Sequence, residues 1–122
     1  AQNITKQRME KSSGGWQAKR ALISAFGILD SAPDSPEEIY TRIYRAIINY
    51  INQKNGTKKI EYSTEEIIDI IKSHDGAEVY KEFEQILTCG EAVRFAPVSS
   101  QDAQNDVQKI KDLLKKVDHV WS

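Results

Sequence analysis

Between residues 39 and 51 apolar side chains recur every fourth position in two adjoining rows. Ile39, Ile43, Ile47 and Ile51 form one row, and Tyr40, Tyr44 and Ile48 form the other. That spacing belongs to a helix, because residues four apart stack on one side of the cylinder. A surface helix needs only a single apolar stripe about 100° wide. Two rows therefore require neighbours on more than one side, which makes this stretch the central helix of a small bundle. Its start is marked by Ser35 as a cap, Pro36 at the first helical position and Glu38 where a capping box places its carboxylate. Its end is expected near Asn52 to Asn55, where Asn55-Gly56 accepts positive φ.

The rest of the chain supplies helices to pack against it. Trp16 opens a first helix carrying Ala18, Ala21, Leu22, Ala25, Phe26, Ile28 and Leu29 at three- and four-residue intervals, with alanines that permit close approach. A short rigid link through Pro33 and Pro36 follows. Ser63 and Glu66 form a capping box for a third helix, about 64 to 73, and Tyr62 and Ile67 occupy the two positions of a hydrophobic staple. The fourth helix is expected from about Glu78, with Tyr80, Phe83, Ile86 and Leu87 on its core face and Cys89, Val93 and Phe95 continuing that face if Gly90 does not break it. Gly90 marks a kink or a close helix contact. Ser99 or Ser100 caps a fifth helix whose seam runs Ala103, Val107, Ile110, Leu114, Val117 and Trp121, widened by Leu113 and Val120. The fold class is all-α, a bundle of about five helices over 16–122 behind a flexible lead-in, 1–15, interrupted by Ser12-Ser13-Gly14-Gly15.

At 122 residues, with 39% hydrophobic and 29% charged residues, the chain fits one soluble domain with one core. No apolar run is long enough to span a membrane, and the single cysteine, Cys89, has no internal disulfide partner. The net charge of −1 conceals an asymmetry. Residues 1–20 carry about +4 through Lys6, Arg8, Lys11, Lys19 and Arg20 against Glu10, and the remainder about −5. A basic terminus of this kind is either a solvated end or a segment lying beside acidic headgroups, with Lys6, Arg8 and Lys11 as the membrane-proximal candidates. The opening at Ala1 rather than Met is read as that of a fragment of a longer protein.

Patterns for catalysis and cofactors are missing. His74 and His119 each fall near a predicted helix end and lack the spacing of a zinc or di-iron motif. Cys89 sits among Leu87, Ala92 and Val93 with no histidine near it in sequence, so a buried, unactivated thiol is expected. Glu37-Glu38 and Glu65-Glu66 lie in first turns, where the helix dipole accounts for them. No glycine-rich phosphate loop follows a strand, and neither metal nor cofactor is expected. Helices three and four have the outline of a helix-turn-helix, yet the second would present Glu78, Glu82, Glu84 and Glu91 with only Lys81 in its first turns. Phosphate recognition wants the opposite sign, which leaves a soluble regulator binding nucleic acid as the alternative class.

Several segments together resemble a known family. The basic first helix, Ile39-Tyr40-x-x-Ile43-x-x-Ala46-Ile47-x-x-Tyr50-Ile51, Ser63-Thr64-Glu65-Glu66-Ile67-Ile68 and Ile86-Leu87-x-Cys89-x-x-Ala92-Val93-Arg94-Phe95-Ala96-Pro97 are similar to the C-terminal region of Bat aerotolerance proteins of the BatD type. Val93 stands between Ala92 and Arg94, a departure from the family's Ala-Arg-Phe/Tyr-Ala-Pro run. The resemblance implies a bacterial membrane-anchored protein of a stress- or oxygen-tolerance system, with this bundle on the cytoplasmic side and no enzyme activity. It also implies protein partners in a membrane-associated complex and no nucleic acid. Arg94 and Phe95 are the candidate partner-binding residues, since arginine and aromatics dominate binding hot spots. The other reading of Arg94 is structural, as a cation at a helix end that bridges acidic helices.

Overall fold

A computed structural model describes residues 20–31, 35–75 and 79–121. Among them are five helices and no strand: α1 over 20–30, α2 Pro36–Asn55, α3 Thr64–Asp75, α4 Val79–Ala92 and α5 Ser100–Val120. The expected lead-in with Lys6, Arg8 and Lys11, the start at Trp16, the link through Pro33 and the start at Glu78 lie outside the described residues.

Helix α2 packs against both α4 and α5, the neighbours on more than one side that its two apolar rows require, but the central place expected of it is shared with α5, which touches α2, α3 and α4. Ile39, Ile43, Ile47 and Ile51 are all buried, and of the second row Tyr40 and Ile48 are buried while Tyr44 is partly so. Tyr50 and Ala46 close the gaps between the rows. Gly56 ends the helix in the left-handed region at φ 69°, its N–H donating to the Asn52 carbonyl, a conformation a side chain would strain. At the other end Ser35 stands in the cap position with extended backbone, but its side chain makes no capping bond. Pro36 presets the helical φ and needs no donor, so this start does not depend on the hydroxyl.

Two tyrosine hydroxyls set the direction of α5 against α2. Tyr40 donates to Asp106 Oδ2 at 2.5 Å and Tyr50 to Asp118 Oδ1 at 2.8 Å. The donors lie roughly 15 Å apart along α2 and the acceptors roughly 18 Å apart along α5, at about 1.5 Å per residue, so the two long helices run parallel. Helix α1 runs the other way beside them: Asp30 pairs with Lys111, Lys111 and Lys115 both stand over the Phe26 ring, and Gln53 reaches Ser24. Helices α3 and α4 form an antiparallel hairpin, since Thr64 at the start of α3 bonds Glu91 at the end of α4 while Lys72 lies over the Tyr80 ring.

The predicted start of α3 is realised in full. Ser63 Oγ accepts from the Glu66 N–H at 3.1 Å, and Glu66 Oε1 accepts from the Ser63 N–H at 3.2 Å. Tyr62 and Ile67, the staple pair, are both buried. Ser99 caps α5 by accepting from the Asp102 N–H, and all six seam residues of that helix are buried together with Leu113. Val120 does not widen the seam; it is half exposed, beside the point where α5 ends.

Helix α4 continues through Gly90 and stops at Ala92. The glycine marks a close contact, because a Cβ there would lie 3.2 Å from Cβ of Tyr40. Beyond Ala92 the backbone turns tightly, with the N–H groups of Phe95 and Ala96 both donating to the Ala92 carbonyl. This turn keeps Val93 buried but carries Phe95 off the core face on which helical periodicity places it. Phe95 is 89% exposed.

Candidate functional site

The starts of α2 and α3 and the end of α4 meet around a groove of about 500 Å³. Its floor is apolar, from Ile43, Ile86, Leu87 and Val93, and Gly90 allows α4 to approach Tyr40 at its base. Tyr40, Tyr44 and Tyr62 add aromatic surface, and Glu37, Glu38, Glu91 and Arg94 stand on the walls.

Each tyrosine is fixed by a specific bond. The Tyr44 hydroxyl donates to the Tyr62 carbonyl at 2.6 Å and accepts from the Tyr62 N–H at 3.0 Å, so it satisfies both backbone groups of a residue outside any helix. The Tyr62 hydroxyl donates to Asn52 Oδ1 at 2.7 Å, which also accepts from Thr57 Oγ1, while Asn52 Nδ2 donates to the Lys59 carbonyl. The α2–α3 loop is thereby anchored to the last turns of α2, and this anchoring positions the groove wall. Lys59 lies over the Tyr62 ring at 4.9 Å and pairs with Glu66, which lowers the Glu66 carboxyl below its ordinary range.

At the base, Tyr40 donates to Asp106 and accepts a long contact from the Cys89 thiol at 3.5 Å. Cys89 is partly buried, short of the full burial expected of it. Burial, then the bond to Asp106, then Cys89 push the Tyr40 hydroxyl above its ordinary range. Tyr50 is raised in the same way by burial and then by Asp118. A tyrosine raised in the folded state contributes stability that is complete below the unfolded value near 10 and is lost as pH climbs above it. Urea midpoints measured from pH 8 to 11.5 should therefore fall more steeply above pH 10 for the wild-type chain than for Tyr50→Phe. Parallel alkaline limbs would remove Tyr50 from this account.

The two expected partner-binding residues are neighbours on the turn after α4, and both are exposed. Arg94 lines the groove; Phe95, the next residue, is not among the lining residues and projects into solvent. Among the described residues Arg94 forms no ion pair, so the bridge to acidic helices expected of it is not made. Glu37-Glu38 and Glu65-Glu66 occupy the first turns of α2 and α3, as their spacing predicts. His74 stacks on Trp121 at 3.8 Å with the rings 6° from parallel, a contact that neither histidine's sequence position suggests.

Sequence reading did not find the groove. Its walls come from three helix ends spread over positions 37 to 94, and no local spacing brings them together. The one available signal was Gly90, whose position inside a helical pattern asks for a close neighbour. Among the described residues no group of three or more His, Cys, Asp or Glu could hold a metal ion, and no helix is long and apolar enough to cross a membrane. No family model, curated protein or solved structure matches the chain.

Proposed function

We propose that this chain is a non-catalytic docking domain, on the cytoplasmic side of the bacterial inner membrane, of a membrane-anchored Bat-type stress-tolerance protein. The observation that carries the docking reading is the turn after α4. It holds a phenylalanine that is 89% exposed next to an arginine that lines an apolar groove and has no ion pair among the described residues. Both backbone bonds of the turn converge on Ala92, so the two side chains are presented from a fixed base rather than from a loose end. The backbone beneath them is already ordered, so only the side chains lose freedom on association, and arginine and aromatic side chains are the types that dominate binding energy at interfaces.

The membrane setting rests on two sequence observations. They are the resemblance of 86–97 and of the helices before it to the BatD region, and the charge of about +4 in residues 1–20, which suits a segment following a membrane span. A docking role needs no chemistry from the groove. Its tyrosine hydroxyls and the Cys89 thiol are tied into bonds that hold the fold.

The test is site-specific photocross-linking of the full-length protein in its native cells, with the reactive group at position 95 or, as a control, at Ile23 on the exposed face of α1. Position 95 should give a discrete protein adduct in the membrane fraction that the control position does not. An adduct pattern identical at both positions, or recovery with nucleic acid, would overturn the reading.

A further inference from the structure

The groove has a chemical preference that its lining residues reveal. Its tyrosine hydroxyls are engaged: Tyr40 with Asp106, Tyr44 with the Tyr62 backbone and Tyr62 with Asn52. Tyr40 and Tyr62 are themselves buried, so what remains for an occupant is the partly exposed ring of Tyr44, the outer edge of the apolar floor, three carboxylates and one guanidinium. Among the described residues Glu37, Glu38 and Glu91 form no ion pair.

The position of Glu91 is the most telling. It lies in the last turn of α4, at the negative end of the helix dipole, and that turn contains no basic residue. A carboxylate there opposes the dipole. Its bond from the Thr64 hydroxyl orients it without neutralising it. The two positive helix ends facing the groove do not supply the missing charge, because α2 and α3 each carry a glutamate pair in the first turn. The field in the groove is therefore negative, with Arg94 as a single cation on one wall.

Aromatic faces and carboxylates together favour ammonium and guanidinium groups. The protein already uses this pairing internally. Lys59 lies between the Tyr62 ring and Glu66, and Lys72 stands 4.6 Å from the Tyr80 ring. Resting on the docking reading above, we infer that the occupant is a basic peptide segment of a partner protein. It places two or more lysine or arginine side chains against Glu37, Glu38 and Glu91 and an apolar anchor on the floor between Ile43 and Leu87. Arg94, a donor without acceptor capacity, meets a backbone carbonyl of that segment.

The test selects random dodecapeptides from a displayed library on the whole chain, with amide shifts of the winning peptide recorded on labelled protein. The selected pool should carry net positive charge and an apolar anchor, and the peptide should shift residues 37–44, 62–64 and 90–94. Its affinity should fall as salt rises and drop roughly tenfold or more in Glu37→Gln/Glu38→Gln/Glu91→Gln, which removes charge while keeping shape. A neutral or acidic pool shifting the same residues would overturn the preference for a basic segment while leaving docking in place. Peptides of any charge that shift only other surfaces, or selection that yields nothing above a bare-matrix control, would overturn both.

Discussion

Truncating Ile47 to alanine should lower the unfolding free energy by about 2–5 kcal/mol, the range for removing a buried isoleucine side chain whose site cannot collapse. Ile47 is 1% exposed and sits midway along α2, between Ala46 and Ile48, which are also buried. Parallel α5 on one side and α4 on another restrain the helix, so closing the space left by three deleted carbons would mean moving helices that Tyr40 and Tyr50 hold in place. Urea unfolding should show a lower midpoint with an unchanged slope. The same truncation at Ile23, which is 70% exposed on α1, should change stability by less than about 0.5 kcal/mol. Equal losses at the two positions would mean that the Ile47 row of α2 is not part of the core.

The parts of the fold legible in the sequence were those governed by local chemistry. The two apolar rows of α2 needed only the period of the helix, and the Ser63–Glu66 box, the Ser99 cap and Gly56 needed only residues within four positions of one another. Local patterns failed where a neighbouring feature overrides the role that a residue's type or spacing suggests. Ser35 has the composition of a cap, but the proline after it opens the helix without the hydroxyl's help. Phe95 stands eight residues after Leu87 and so keeps helical spacing with it on paper. The turn closing on Ala92 breaks that phase two residues before it.

The tyrosines of α2 show the same division from the other direction. Their apolar rings were visible as part of the helical rows, but the acceptors of Tyr40 and Tyr50 lie 66 and 68 positions further along the chain. A ring can be placed by period, whereas a hydroxyl bond needs the topology. The groove follows from that topology, because parallel α2 and α5 leave α4 antiparallel beside them and bring its last turn to the first turns of α2 and α3. Helix α2 thus buries its apolar rows in the core and builds a wall of the candidate site with its first two turns. A substitution deep in the core and one at the groove rim should therefore separate cleanly, the first in stability and the second in binding.

Replacing Asp118 with alanine should produce the second large loss, about 3 kcal/mol, at the opposite end of α2 from the groove. Asp118 Oδ1 accepts from the Tyr50 hydroxyl at 2.8 Å and lies 2.9 Å from the Lys54 ammonium. The Lys54 side chain is only 7% exposed and that of Asp118 27%, so the pair is mostly withdrawn from water. Without the carboxylate, Lys54 retains the Trp121 carbonyl at 2.9 Å but has no countercharge there, and the buried Tyr50 hydroxyl loses its acceptor. An unmatched buried charge costs more than the pair contributes, because desolvation is no longer offset. The triple change Tyr50→Phe/Lys54→Met/Asp118→Leu removes every polar group that depended on the carboxylate while keeping volume. It should return to within about 1 kcal/mol of wild type, since apolar replacement of a buried pair is often neutral or better. A triple variant as unstable as Asp118→Ala would assign the loss to the end of α5 itself, where Trp121 packs edge-on against Tyr50 and flat against His74.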